Sequence, residues 1–321
     1  MAVVRKAHIS PNSGNTGRAT AGNNKPTRRA WHTNGMIRFF PRSKEEFDDV
    51  YSLAKDFVFT EHGPQEPVFD SSSQVLTMGS CFASELRNVL KLNNKNSEYI
   101  QVPEGLNNSF AVRQYLEWVC TGNRSSDAYW YDNDPSAGAY KWEPEQEQKD
   151  LLEYFKKVDG FVITLGLAEV WRDIETGGVF WRGVPEAAFD PNRHECVTST
   201  VEENVKNIRR IVQLIRKYAG KDKTIVFTLS PVPLNATFLG RPTIVSDCVS
   251  KSILRVALDT FFTGAKVPKA CYYWPSYEMV RWTGSHLDFP TLYEDNTPRH
   301  VKRQIVDIII NNFISKFFKQ E

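Results

Sequence analysis

The chain has 321 residues, 41% hydrophobic and 24% charged, enough apolar material for one large core or two small ones. No run of about 18 apolar residues exists and no apolar leader core opens the chain, so neither a membrane span nor a secretory signal is expected. The formal net charge of +2 conceals an asymmetry: residues 1–44 hold nine Lys or Arg and no acid, leaving 31 basic against 38 acidic residues on the remainder.

In chain order, residues 1–41 read as a basic, disordered arm rich in Gly, Asn, Ser and Thr. Its "SGNTG" follows no strand and is not read as a phosphate loop. Phe47, Val50, Leu53 and Ala54 have helical spacing. Five short runs, apolar on both faces, then read as strands: 75–78, 99–102, 160–165, 224–229 and 270–274. Helical patterns lie at 82–92, 110–120, 146–158, 201–218 and 247–262, and a last helix follows His300. Strands alternating with helices predict a doubly wound α/β domain over 42–321, with five mainly parallel strands covered on both sides. Two connections, 121–145 and 173–200, are long and rich in Tyr, Trp, Gly and Pro, the mark of ordered functional loops. The five cysteines (Cys81, Cys120, Cys196, Cys248, Cys271) are scattered and never spaced C-x-x-C. That pattern fits a reducing, cytoplasmic setting and argues against a disulfide framework or a zinc knuckle.

Ligands of an open parallel sheet bind beyond the carboxyl ends of its strands. The first strand ends in Gly79-Ser80-Cys81, at a turn into a helix. Unpaired N–H groups and the positive end of the helix dipole meet a residue at that place. They favour the anionic form of a thiol and can hold a tetrahedral oxyanion. Cys81 is therefore a candidate nucleophile and Ser80 a second one; the bland alternative is a small core thiol behind a plain serine cap. The second strand leads to Gly105, Asn107 and Asn108, which could supply oxyanion donors or merely cap a helix. The third leads to Gly166 and Glu169, the fourth to Ser230, and the fifth to Glu278. His300, expected at the start of the last helix, could reach the tip of the first strand as general base and acid, with Asp295 or Glu294 orienting its ring.

The words "GSCFA" (79–83), "GLNNSF", "TLGLAEVW", "SPVPL", "SYE" and "RHV" follow one another in the order of blocks in the GSCFA family, which is similar to the SGNH/GDSL hydrolases. The resemblance covers roughly residues 70–315. It implies a flavodoxin-like, three-layer α/β/α fold and acyl-ester chemistry. Where the wider superfamily reads Gly-Asp-Ser, this chain reads Gly79-Ser80-Cys81, which places Cys81 on the nucleophile. The superfamily's Gly-x-Asn-Asp is here Gly166-Leu167-Ala168-Glu169, without the Asn that donates to the oxyanion. Its Asp-x-x-His is also altered: Thr297 stands three residues before His300, and Asp295 five before.

The expected function is an O-acyl esterase or acyltransferase acting on a carbohydrate-like substrate through a Cys81 (or Ser80)/His300 acyl-enzyme, with Trp130, Tyr131, Tyr140, Trp142, Phe180 and Trp181 as candidate sugar platforms. A non-catalytic glycan- or polyanion-binding protein on the same fold is the rival reading. No cofactor is required, although a transferase would need an acyl donor such as acetyl-CoA. No metal-ligand spacing is present. The expected partner is a small-molecule or glycan ester; a membrane or nucleic acid is not, although the arm could touch polyanions. The oligomeric state is left open.

Overall fold

Doubly apolar strands that alternate with amphipathic helices have few ways to hide both faces, and the chain takes one of them. In a computed structural model, residues 38–100, 107–123, 128–129, 144–180, 184, 189–265 and 267–320 are described. Residues 41–321 make one unit and 1–40 another. All but the last few residues of the predicted arm lie outside the described residues.

Two short helices, α1 (Glu45–Asp48) and α2 (Val50–Leu53), precede strand β1 (Val75–Gly79) and helix α3 (Cys81–Leu92). Next come β2 (Ser97–Ile100), α4 (Ser109–Thr121), β3 (Ala128–Tyr129), α5 (Pro144–Lys157) and β4 (Gly160–Leu165). Then follow β5 (Glu169–Asp173), β6 (Val179–Phe180), β7 (His194–Thr198), α6 (Val201–Leu214) and β8 (Thr224–Leu229). The chain closes with α7 (Thr243–Phe262), β9 (Cys271–Trp274), α8 (Ser276–Arg281), β10 (Leu292–Glu294), β11 (Thr297–Val301) and α9 (Arg303–Phe317). No helix among the described residues is long and apolar enough to cross a membrane.

The central sheet runs β2-β1-β4-β8-β9, every pair parallel. Strand side chains alternate between faces. Leu76, Met78, Phe161, Ile163, Phe227 and Leu229 therefore pack on α4, α6 and α7, and Val75, Val162, Val226 and Trp274 on α3 and α9. Each such side chain contributes about 1.5–3 kcal/mol by full burial, so helices on both faces are obligatory. The helices run back against the strands. A Cβ on Gly160, the first residue of β4, would lie 2.4 Å from the Phe69 ring, and Phe69 N donates to Phe317 O at 2.9 Å. The carboxyl end of α9 thus sits at the amino edge of the sheet, and its amino end, like that of α3 beside it, opens at the carboxyl edge.

The two long connections do more than cross over. Together with β5 they build a second sheet, β3-β6-β5-β7, in which β5 is antiparallel to β6 and β7. A buried carboxylate ties its corner: Asp173 accepts from Arg193 Nε at 2.5 Å and Thr176 N at 2.9 Å. The Arg193 bond, first, holds that carboxyl down at about 2.

Candidate active site

Strand β1 turns into α3 at Gly79, and only glycine fits there. Its φ is +121°, and a Cβ would stand 2.0 Å from the Thr164 carbonyl oxygen on β4. Ser80 N then donates to that same oxygen at 3.1 Å. Cys81 becomes the first residue of α3, its side chain exposed and without a bond among the described residues. Ser80 occupies the cap position but caps nothing; its hydroxyl is buried and has no partner among the described residues. The first turn of α3 accordingly presents N–H groups without a side-chain acceptor, beside an open thiol. Tyr99 OH closes one side by donating to Gly79 O at 3.3 Å.

The turn after β4 forms the next wall. Gly166 N and Leu167 N both donate to Asn107 O, at 2.7 and 3.1 Å. A Cβ on Gly166 would lie 3.2 Å from Ser80 Cβ, so the two turns are in contact. From α7, Lys251 Nζ donates to Gly166 O at 2.5 Å and Ser250 Oγ accepts from Ala168 N at 2.6 Å. Asn108 accepts from Ala111 N at 2.8 Å, which makes it the cap of α4. Ser230 N donates to Leu165 O at 2.8 Å, extending the β4–β8 ladder by one rung. Thr164 Oγ1, Thr228 Oγ1 and Ser276 Oγ are also buried without a partner among the described residues. Buried hydroxyls normally find one, so this edge of the core is where water or a ligand belongs.

His300 lies on β11 and not on the last helix. Asp295 and Asn296 take positive φ, 51° and 56°, and form the two-residue turn of a β10–β11 hairpin. Alternation beyond that turn sends Arg299 inward, where its Nε donates to Pro233 O at 3.0 Å, and leaves His300 exposed. The imidazole makes no hydrogen bond among the described residues. It stands three residues before Arg303, where α9 opens beside α3. Asp295 is exposed at the hairpin tip, in the turn itself.

The structure thus brings Gly79, Ser80, Cys81, Asn107 and Gly166 together, sets His300 on the same edge, and commits the remaining candidates elsewhere. Glu169 accepts from Thr237 Oγ1 at 2.9 and 3.0 Å. Glu278 accepts from Arg255 Nε at 2.6 Å and from Tyr273 OH at 2.8 Å. Gly105 and the aromatic candidates Trp130, Tyr131, Tyr140, Trp142 and Trp181 lie outside the described residues. Phe180 is buried, edge-on to His194 at 5.2 Å.

Sequence reasoning passed over Lys251, Asp247, Arg281 and Arg299. The signal for Lys251 was there: it falls on the stripe Asp247, Ser250, Leu254, Ala257, Leu258 and Phe261, so a charge sits on the core face of α7. Among the described residues no group of three or more His, Cys, Asp or Glu could hold a metal ion. Chemically, the site offers an exposed sulfur at a helix start, the positive end of that helix, and on the same edge an imidazole with no hydrogen bond among the described residues.

A family model described as the GSCFA family matches residues 74–313. Among solved structures, the chain is similar to a carbohydrate esterase family 2 enzyme plus carbohydrate binding domain from Corynascus thermopiles (Myceliophthora fergusii). Identity is 12%, with 78% of this chain and 67% of that chain covered, at a TM-score of 0.39. It is also similar to the lipase Lip_vut3 from a goat rumen metagenome, at 11% identity, 76% and 97% coverage and a TM-score of 0.37. A GDP-L-fucose synthetase from Naegleria fowleri bound to NADP matches at 11% identity, 66% and 52% coverage and a TM-score of 0.29. No curated protein matches the chain.

Proposed function

The chain belongs to the GSCFA family, and from that premise we propose that it is an ester hydrolase or O-acyltransferase in which Cys81 carries the acyl group. One observation carries the reading: an exposed, free thiol opens α3 at the carboxyl edge of the parallel sheet, and among the described residues no side chain caps that helix. The Cys81 sulfur attacks the acyl carbonyl, and the N–H groups of α3's first turn hold the oxyanion. His300 takes the thiol proton as the sulfur attacks; the C–O bond then breaks, His300 returns that proton to the departing alkoxide, and a thioester remains on Cys81. Water or a second hydroxyl, its proton taken by His300, then displaces the sulfur.

The acceptor is a carbohydrate-like hydroxyl. Support comes from the second sheet, whose β5 starts three residues after Gly166. It sets the Trp171 ring 5.1 Å from Phe238 and 5.6 Å from Phe189, both exposed. The Phe189 ring stands edge-on to Trp171 and the Phe238 ring is tilted against it, and exposed rings suit the apolar face of a sugar.

The test is intact-mass spectrometry after mixing with p-nitrophenyl acetate and with acetyl-CoA. An acetyl adduct on the Cys81 peptide, discharged by hydroxylamine and missing in Cys81→Ala, is expected, together with a loss of turnover of about a thousandfold. Turnover that survives Cys81→Ala would overturn this reading in favour of Ser80 or another group. No adduct and no turnover with any donor would leave a glycan-binding groove.

A further inference from the structure

Helix α7 carries an ammonium into the core. Lys251 is 1% exposed, and its bond to Gly166 O is the only one it makes among the described residues. An ammonium has three donors, so two are unspent. A buried cation is costly, and Asp247, the carboxylate that most favours its charge, is also engaged elsewhere. Asp247, one turn earlier on α7, accepts from Leu234 N at 3.0 Å and pairs with Arg281 at 3.0 Å. Arg281 and Arg299 work against a charge on Lys251, whereas Asp247 and Cys81 work for it. Burial, the largest influence, brings the ammonium down to about 8, so it is still charged near neutrality.

The mechanical path is equally direct. Lys251 grips the carbonyl of Gly166 and its neighbour Ser250 grips Ala168 N. Gly166 in turn packs on Ser80, the residue before Cys81. A buried methionine would fill the same space without the desolvation cost, so a purely structural account leaves the charge unexplained.

Resting on the reading of Cys81 as nucleophile, we propose that Lys251 is a positioning residue of that centre. It fixes the β4 turn through Gly166 and holds a positive charge behind the sulfur near neutrality, so that negative charge on Cys81 is met by an ammonium fixed in place. It touches no substrate and takes no proton in the reaction.

The readout is the rate of Cys81 alkylation by iodoacetamide at pH 7, followed by peptide mass spectrometry and normalised to N-acetylcysteine in the same tube. Lys251→Met removes charge and bond. Lys251→Gln keeps a donor for Gly166 O, and Lys251→Arg keeps the charge. Met and Gln should each slow Cys81 by about tenfold, while Arg stays within threefold of the natural chain; circular dichroism confirms the fold of each. A Cys81 rate within twofold in the Met and Gln variants overturns the inference, as does full rescue by Gln, which would leave only a structural bond. Alkylation does not depend on acyl chemistry. A natural chain that fails to take an acyl group but shows the expected alkylation series would sink the catalytic reading and leave Lys251's role standing.

Discussion

Helices α3 and α6 both start at the carboxyl edge of the central sheet, and they are finished in opposite ways. At α6, Thr200 Oγ1 accepts from Glu203 N at 3.2 Å and Thr200 N donates to Glu203 Oε2 at 2.8 Å, a complete capping box. At α3 the cap position holds Ser80, a residue equally suited to capping, yet its side chain finds no partner among the described residues. The cause lies in the strand before it. Gly79's positive φ and the Ser80 N to Thr164 O bond hold the serine against β4, where its Cβ lies 3.2 Å from the place a Cβ on Gly166 would take. A closed helix end contributes stability. An open one, with a thiol as its first residue, keeps its N–H groups for an anion that arrives from outside.

The largest effect should come from breaking the turn that keeps α3 open. In Gly79→Ala the new Cβ meets backbone, which cannot swing aside, and the residue must also hold a φ of +121°. The cost should exceed ~3 kcal/mol, combining overpacking with backbone strain. Urea unfolding followed by tryptophan fluorescence measures it. A loss below ~1 kcal/mol would show that the approach of β1 to β4 is looser than described.

A medium effect separates the charge behind α3 from the cap that α6 uses. The Lys251 proton leaves at about 8 in the folded chain and near 10.4 in the unfolded one. Between those pH values the unfolded state binds more protons, so the natural chain gains stability as pH rises. The gain should be ~3 kcal/mol from this group alone, and Lys251→Met should lack it, every other titration being common to both chains. Below pH 8 the cost of the buried charge is fully present. Comparing urea midpoints at pH 7.5 and 10 reads the difference between slopes; parallel slopes would mean that Lys251 is solvated.

The central sheet was legible in the sequence because 160–165 and 224–229 must be buried on both faces, and such runs have few alternatives to a covered parallel strand. The helices between them announced themselves by apolar spacing. Glu169–Asp173 and His194–Thr198 hid as strands because charged and polar residues interrupt each run, and their partner was another loop. His300 was placed on a helix because its neighbours Ile305, Ile308 and Ile309 have helical spacing. The Asp295-Asn296 pair, suited to positive φ, was the overlooked sign of a hairpin. At the β1–α3 junction, Gly79, Ser80 and Cys81 could be read as a turn into a helix from residue type alone. That Ser80 would decline to cap could not, since it depends on Thr164 and Gly166, about 85 residues away in sequence.

The smallest effect is the most direct test of the comparison. Thr200→Ala removes an acceptor that satisfies a helix N–H and should cost about 1 kcal/mol. Ser80→Ala, the same chemical deletion at the equivalent position of α3, removes a buried hydroxyl that has no partner, so it should cost nothing measurable or stabilise slightly. The pair should therefore differ by ~1 kcal/mol in urea unfolding, although propensity and caps alone predict equal losses. Equal losses would mean that Ser80 caps α3 after all, and that no open N–H groups await an oxyanion beside Cys81. The same Ser80→Ala chain, mixed with p-nitrophenyl acetate, should still acquire its acetyl group on Cys81. The Ser80 hydroxyl is buried, whereas Cys81 is exposed at the start of the helix.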